Sequence, residues 1–153
     1  MKRMLIIYPH WPPSNLVGVH RVRLIANELE ALGWTPTILT IDERDYEETP
    51  SKASEQLVNP TLEVIKVRAN PIKKIGGKRI IGDIGLRGFK AMKLEAQRLL
   101  STNSYDFIWF SVPSYYPTLM GTSLSRKYRV PFGVDYQDPW VYSLSKEQKG
   151  FNR

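Results

Sequence analysis

Two acidic residues, Asp135 and Asp138, lie three positions apart in the segment "DYQDPW", directly after the apolar run "PFGV". A carboxylate at the end of a buried strand is unfavourable unless it is hydrogen-bonded, ion-paired or in contact with a ligand. The pair therefore predicts contact with sugar hydroxyls or phosphate, and Asp138 is the best candidate for contact with a reacting hydroxyl. The alternative is structural: Asp138 precedes a proline and could cap its own turn, and Asp135 could serve only the fold.

A second candidate segment is "YPHWPPSNLVGVHR" (8–21), which follows the first apolar run of the chain. It contains neither GxGxxG nor GxxxxGK[ST], so neither a dinucleotide fingerprint nor a P-loop is supported. Helix N-termini bind anions through unpaired N–H groups, so we predict that Gly18 and Val19 approach a phosphate. His20 and Arg21 would add charged donors. The alternative is a packed loop in which His20 is an ordinary surface residue.

Aromatic residues accompany these polar ones. Flat apolar side chains often line ligand sites, so Trp11, Tyr115, Tyr116 and Trp140 are predicted to lie against a sugar ring. Ser111, in the segment "SVPSYYP", is predicted to contact the same ligand. Trp11 has a second interpretation, since it and the neighbouring prolines could simply stiffen a packed loop.

Strands and helices that alternate along the chain would position these loops. Short runs rich in β-branched and aromatic residues predict five strands, at 4–8, 35–41, 62–67, 106–112 and 131–136. Helical periodicity lies between them, at 20–33 with Gly33 as a left-handed cap, at 86–100 and at 115–128. The alternation predicts an α/β fold, a Rossmann-like parallel sheet flanked by helices. Ligands bind such sheets outside the carboxyl ends of the strands, where these loops meet.

Composition narrows the function further. The chain has 153 residues, which predicts a single domain over 1–153, and it carries a net charge of +7. That charge favours an anionic partner, but no nucleic-acid-binding motif is present, which disfavours nucleic acid. The chain has no cysteine, which excludes thiol chemistry, and it has only two histidines, which disfavours a metal site. The first apolar run is too short for a signal peptide or a membrane span, which predicts a cytoplasmic protein. The acid-rich segment 42–55 is expected to be a solvated loop.

A basic, glycine-rich segment at 68–90 interrupts the alternation. In the helix predicted at 86–100, Arg87, Lys90 and Lys93 are expected on an outward-facing arc opposite Phe89, Met92, Ala96 and Leu99. Such a face would attract anionic lipid and hold the protein at the inner face of a membrane. The candidate membrane-facing residues are Lys73, Lys74, Lys78, Arg79, Arg87, Lys90 and Lys93. The alternative is the solvated basic face of an ordinary amphipathic helix.

Two stretches of the chain together resemble glycosyltransferase family 4. The stretch "MLIIYPHWPPSNLVGVHRVRLIANELEALGWTPTILTI" is similar to the family's first strand, Pro-Pro loop, Gly-Val before His-Arg, and helix leading to strand two. The stretch "DFIWFSVPSYYPTLMGTSLSRKYRVPFGVDYQDPW" resembles one branch of the family, in which strand five ends in an Asp-x-Arg-Asp-Pro-Trp tail, where x is any residue. Together they cover residues 4–41 and 106–140.

The resemblance implies a GT-B fold, in which two Rossmann-like domains face each other across a cleft and this chain is the N-terminal, acceptor-side domain. It implies retaining transfer of a sugar from a nucleotide-sugar donor to a glycan or lipid-linked acceptor, in cell-surface polysaccharide synthesis, with no required metal or other cofactor. The loop around Gly18 would approach the donor diphosphate, and the loops after strands four and five would meet the acceptor.

The chain departs from the family pattern at three points. Gln137 stands where the branch has arginine, and Ser111 and Ser114 stand where many relatives have a histidine. The Glu-rich donor-binding motif of the second domain is absent, so we expect a truncated N-terminal domain that is inactive alone. Two other hypotheses stay open: a non-catalytic Rossmann-like module that binds an anion, and one half of a nucleotide-sugar epimerase of the same fold.

Overall fold

The computed structural model describes residues 1–72, 74–76, 78–79 and 82–137 of the chain. Five strands form one sheet in the order β3-β2-β1-β6-β7, and every neighbouring pair is parallel. Their bounds are β1 Lys2–Ile7, β2 Trp34–Ile41, β3 Glu63–Val67, β6 Phe107–Val112 and β7 Phe132–Tyr136. A short antiparallel hairpin, β4 Lys74–Ile75 and β5 Lys78–Arg79, lies outside the sheet. The predicted Rossmann-like parallel sheet is therefore confirmed.

The connections between strands contain short and long helices. The α-helices are α1 Val17–Glu28, α2 Lys52–Glu55, α3 Ile84–Arg87, α4 Phe89–Thr102 and α5 Gly121–Tyr128. Single 3₁₀ turns cover Glu30–Leu32, Glu43–Asp45 and Tyr116–Met120. Helix α1 begins at Val17, three residues before the predicted start, so Gly18 and Val19 belong to its first turn. Gly33 has φ 80°, which confirms the predicted left-handed cap.

The sheet buries side chains on both faces because successive residues of a strand point to opposite sides. Leu5 and Ile7 of β1 face one core cluster, which is completed by Met92 and Leu99 of α4 and Leu124 of α5. The alternate residues of β1 face the second cluster, which α1 covers. Members of the second cluster include Ile6, Tyr8, Trp11, Val19, Val22 and Ala26. Helix α1 thus lies on one face of the sheet, and α4 and α5 lie on the other.

Strand β1 is the point at which the strand order reverses. The chain goes from β1 to β2 on one side, and after β3 it crosses back to β6 on the other side. The loops that follow β1 and β6 therefore leave in different directions and open a crevice at the carboxyl edge of the sheet. The candidate residues of the loops after β1 and β6, and Asp135 near the end of β7, lie at this edge.

The acid-rich segment 42–55 differs from the predicted solvated loop. Tyr46 packs against the first core cluster, and its hydroxyl donates to the Ile41 carbonyl oxygen at 2.9 Å. Asp45 accepts two hydrogen bonds from the Arg68 guanidinium, both at 2.8 Å, and Glu43 pairs with Lys66 at 2.8 Å. The segment is packed because its acids pair with Lys66 near the end of β3 and with Arg68 just after it. The residue pattern of 42–55 alone does not reveal these partners.

The prediction that Arg87 belongs to an exposed basic arc is wrong. The helix is interrupted at Gly88, so Arg87 belongs to the short α3 and does not share the helical wheel of α4. Its side chain is buried, and its guanidinium bonds backbone carbonyls instead of facing solvent. Lys90 is exposed and Lys93 is half-buried on α4. Lys74, Lys78 and Arg79 lie in the hairpin, and Lys73 is outside the described residues.

In the described part of the chain, no helix has both the length and the apolar character that crossing a bilayer demands.

Candidate functional site

Two neighbouring clefts open at the carboxyl edge of the sheet. We call the first the Arg87 cleft; its volume is about 200 Å³, and it is lined by His10, Glu47, Glu48, Gly82, Asp83, Ile84, Arg87, Pro113 and Ser114. We call the second the Gly18 cleft; its volume is about 680 Å³, and it is lined by Val17, Gly18, His20, Arg21, Leu24, Ile25, Pro113 and Gln137. Pro113 lines both, so the loop after β6 separates them.

Arg87 is held at the base of its cleft by backbone oxygens. Its two terminal nitrogens donate to the carbonyl oxygens of Asn70, at 2.9 Å, and Asp45, at 3.1 Å. The Glu47 carboxylate lies 3.5 Å from one of these nitrogens. A further donor, Nε–H, is buried without a hydrogen-bond partner. An unmade hydrogen bond at a buried donor is costly, so this nitrogen is an unsatisfied group of a residue that lines the cleft.

His10 and Glu48, which both line the Arg87 cleft, contact each other directly. The imidazole Nδ1 lies 2.9 Å from the Glu48 carboxylate, which also accepts a hydrogen bond from the Ser14 hydroxyl at 2.5 Å. Burial lowers the pKa of His10, and the Glu48 carboxylate only partly opposes that effect. For Glu48, burial acts to raise the pKa, but the hydrogen bonds from Ser14 and His10 outweigh it and the net pKa is lowered. The pair is therefore a neutral imidazole beside a charged carboxylate at neutral pH.

Ser114 completes the Arg87 cleft with a second buried, unpartnered group. Its hydroxyl oxygen has no hydrogen-bond partner, and the residue is 5% exposed. It packs against Gly85, where an added Cβ would come within 2.5 Å of the hydroxyl and 3.0 Å of the Asp83 carboxylate. Asp83 also caps α3, since its side chain accepts from the Leu86 N–H at 2.9 Å. Glycine at position 85 thus leaves space that the Ser114 hydroxyl and the Asp83 carboxylate would otherwise share with a side chain.

The Gly18 cleft is lined by three of the residues predicted from the sequence, Gly18, His20 and Arg21. Gly18 itself is required by packing, because a Cβ at this position would overlap the Tyr8 hydroxyl oxygen. Burial raises the pKa of Tyr8 to about 12, with a smaller contribution from Glu48. The Tyr8 hydroxyl therefore stays protonated against the first turn of α1. Val19 is fully buried in the second core cluster, so its side chain does not face the cleft.

Arg21, which lines the Gly18 cleft, forms an ion pair with Asp135. The Arg21 guanidinium donates to both carboxylate oxygens of Asp135, at 2.6 and 2.9 Å. Ser111 bonds the same carboxylate at 3.4 Å and accepts a hydrogen bond from the Gln137 amide at 2.8 Å. Gln137 also reaches the Gly18 carbonyl oxygen, at 3.4 Å. The chain thus forms an Arg21–Asp135 ion pair, with Ser111 and Gln137 hydrogen-bonded beside it.

Trp11 was predicted to contact a sugar ring, and the structure corrects that prediction. Its ring is 3% exposed and packs in the second core cluster, so it stiffens the loop after β1 and offers no face to a ligand. Tyr115 is half-buried and Tyr116 is exposed at the start of the 3₁₀ turn after β6. His20 is half-buried and lines the Gly18 cleft. Asp138 and Trp140 lie outside the described residues.

Sequence reasoning missed the residues of the Arg87 cleft as ligand contacts. Glu48 lies in a segment that was expected to be solvated, and Arg87 was placed on an exposed arc. His10 and Ser114 did carry a signal, since each follows a strand of the parallel sheet within three residues of its carboxyl end. In the described ranges, no group of three or more potential ligands among His, Cys, Asp and Glu is placed to hold a metal ion.

Comparison with known proteins gives similarity at the level of the fold. No family model matches the chain, and no curated protein matches it. Among solved structures, the glycosyltransferase UGT2 of Phytolacca americana, bound to UDP-2fluoro-glucose and pterostilbene, matches 88% of this chain and 30% of its own, with TM-score 0.55 and 13% identity. A UDP-bound UGT transferase of Siraitia grosvenorii matches 87% of this chain and 27% of its own, with TM-score 0.52 and 15% identity.

The C-terminal domain of a Pyrococcus furiosus hydrogenase also matches, over 88% of this chain and 90% of that domain, with TM-score 0.53 and 20% identity. The shared feature is the Rossmann-like α/β fold, which hosts several unrelated functions. The chain spans about a third or less of the length of the two glycosyltransferases, and it has a fold like that of one part of them. None of these comparisons assigns the chain to glycosyltransferase family 4.

Proposed function

We propose that this chain is the acceptor-side domain of a glycosyltransferase. The reaction would move a sugar from a nucleotide-sugar donor to a glycan or lipid-linked acceptor, as in cell-surface polysaccharide synthesis, with retention of configuration and without a required metal. The observation that carries the proposal is the pair of adjoining clefts at the carboxyl edge of the sheet, the Arg87 cleft and the Gly18 cleft. The sequence resemblance to family 4 and the fold shared with nucleotide-sugar transferases support it.

The two clefts suit different parts of such a reaction. The Gly18 cleft is wider and includes the first turn of α1, where backbone N–H groups and His20 would approach the donor diphosphate. The Arg87 cleft is smaller and more polar, and its buried donors suit the acceptor. Asp138 and Trp140 stay candidates for acceptor contact. The exposed Lys90 supports, as part of the same proposal, attachment at the inner face of a membrane.

The test uses the complete encoded polypeptide that contains these residues. It would be incubated with a panel of radiolabelled UDP- and GDP-sugars and a lipid and glycan extract of the source cells, and label in the extract would be counted. We expect transfer from one donor of the panel. His20→Ala is expected to lower transfer about tenfold or more without lowering Tm, because one contact to developing charge is worth that much.

The matched control is Glu28→Ala, an exposed residue at the far end of the same helix, which should leave transfer unchanged. Absence of transfer from every donor would overturn the transferase. Transfer that is insensitive to His20→Ala would overturn the role given to the Gly18 cleft.

A second candidate is a non-catalytic Rossmann-like module that binds its ligand without chemistry. The observation in its favour is the unpartnered Nε–H of Arg87, which needs only a bound ligand to be satisfied. The same assay separates the two candidates, since a binding module would retain a ligand and transfer no label.

A further inference from the structure

Unsatisfied polar atoms are concentrated in the Arg87 cleft. Only four buried side-chain nitrogen or oxygen atoms of the described residues lack a hydrogen-bond partner, and two of them, Arg87 Nε and Ser114 Oγ, belong to this cleft. Both residues are more than nine-tenths buried, at 6% and 5% exposed. Buried polar groups are almost always satisfied in native proteins, so two exceptions in one small cleft indicate that a ligand supplies the missing partners.

The imidazole of His10 is a third polar group of the cleft, and one of its two ring nitrogens has no assigned partner. His10 has its Nδ1 occupied by the Glu48 carboxylate, which leaves Nε2 as the ring nitrogen that can bond a ligand. With the Nδ1 proton directed to the carboxylate, Nε2 is an acceptor. The cleft therefore offers one N–H donor, one hydroxyl that can donate or accept, and one acceptor nitrogen.

The described charges of the cleft favour an uncharged occupant over an anion. Among the described lining residues, the Arg87 guanidinium lies 3.5 Å from the Glu47 carboxylate, and two further carboxylates, those of Glu48 and Asp83, also line the cleft. Burial lowers the pKa of His10, so the imidazole adds no charge at neutral pH. A phosphate or carboxylate ligand would meet more negative than positive charge at close range, where repulsion is weakly screened. Uncharged hydroxyl groups meet no such repulsion and fit a mixed set of donors and acceptors.

The size of the cleft limits the ligand to a small one. Its volume of about 200 Å³ is the space of about six or seven water molecules. That is room for one small ring, and not for an oligosaccharide.

We propose that the Arg87 cleft binds neighbouring hydroxyl groups of one uncharged sugar ring. Arg87 Nε–H donates to one hydroxyl oxygen, and Ser114 Oγ exchanges a hydrogen bond with the adjacent hydroxyl. His10 Nε2 accepts from a hydroxyl of the same ring. The identification of this ring with the acceptor rests on the proposed function, but its binding does not require transfer.

The test is an NMR titration of the ¹⁵N-labelled chain. The probes are the methyl α-pyranosides of glucose, mannose and galactose, with glucuronate and glucose 6-phosphate as their charged counterparts. We expect at least one methyl glycoside to shift the Nε–H signal of Arg87, and both charged probes to bind at least about tenfold more weakly. Ser114→Ala should weaken that glycoside about tenfold, the effect of one lost hydrogen bond to a buried ligand.

The matched control is Ser54→Ala. Ser54 is as buried as Ser114, but its hydroxyl donates to the Ser51 carbonyl oxygen at 2.7 Å and it lies outside the cleft. We expect Ser54→Ala to lower Tm and leave glycoside binding unchanged, whereas Ser114→Ala should leave Tm the same or higher. The opposite pattern would overturn the assignment of Ser114.

The titration also separates this proposal from the proposed function. A shift of Arg87 with a methyl glycoside, in a polypeptide that transfers no label, would leave the cleft assigned and overturn only the transferase. No shift with any methyl glycoside, or tighter binding of glucose 6-phosphate, would overturn the polyol cleft even if transfer is observed.

Discussion

The two clefts at the carboxyl edge of the sheet share a boundary at Pro113 and differ in how their polar groups are satisfied. At the Gly18 cleft, Arg21 pairs with Asp135 and Ser111 bonds Gln137, so these polar groups are satisfied within the chain. In the Arg87 cleft, a buried nitrogen and a buried hydroxyl are left without partners. The lesson is that residue type identifies the polar edge of a sheet, but only the pairing of those residues shows which polar groups at that edge are left unsatisfied by the chain itself.

The largest effect that sharpens this comparison should come from Arg87→Met. The guanidinium bonds two backbone carbonyls from a buried position, and its loss leaves both oxygens without a donor. We expect unfolding free energy to fall by about 3 kcal/mol, measured by urea denaturation. The matched control is Arg98→Met, in which an exposed arginine loses its partner Glu95, and the midpoint should barely move. Equal midpoints for the two variants would mean that Arg87 does not anchor its cleft.

Gly18→Ala should have the next largest effect, because the new Cβ overlaps the Tyr8 hydroxyl in a packed core. We expect a loss of about 2 kcal/mol in thermal or urea unfolding. The same substitution in a Tyr8→Phe background should cost much less than in the native background, because the overlapping oxygen is gone. If the two costs are equal, glycine is required here for a reason other than contact with Tyr8.

A smaller effect concerns acid stability of the Arg87 cleft. The folded pKa of His10 lies below its ordinary value of 6.5, so below that pH the unfolded chain takes up a proton that the folded chain does not. Stability is therefore fully present above about pH 6.5 and is lost as pH falls toward the folded pKa. We expect His10→Gln to reduce the fall in unfolding free energy between pH 7 and pH 5. Urea unfolding at each pH would measure it.

The companion variant is Glu48→Gln, which removes the carboxylate that raises the His10 pKa while burial continues to lower it. The His10 pKa, followed by NMR titration of the ring proton, should fall further. An unchanged or higher pKa would contradict the contact between His10 and Glu48.

The smallest effect should come from Asp135→Asn in the Gly18 cleft. This change releases the exposed Arg21 guanidinium from its fork with the carboxylate. We expect inorganic phosphate to shift the Arg21 Nε–H signal at several-fold lower concentration than in the native chain, with sodium chloride at equal ionic strength as the control. The same phosphate dependence in both chains would mean that the ion pair does not occupy the anion site, and the contrast between the clefts would weaken.

The sequence by itself determined the fold and the edge of the sheet that is polar. Alternating apolar runs and helical periodicity depend on local residue order, so the five strands of the sheet, the longer helices α1, α4 and α5 and the left-handed cap at Gly33 could be predicted, whereas α2 and the break at Gly88 were not. The loops that follow the strands could be located for the same reason. Gly18, His20, Arg21, Ser111 and Asp135 were identified as polar-edge residues in this way.

Only the tertiary structure decided which polar groups pair. The partners Arg21 and Asp135 are separated by 114 positions, and His10 and Glu48 by 38. Such contacts arise when crossover connections bring strand ends together, and no periodicity along the chain encodes them. Arg87 shows the reason most clearly: Gly88 ends its short helix, and the turn carries a charged side chain from the predicted surface to carbonyl oxygens in the interior.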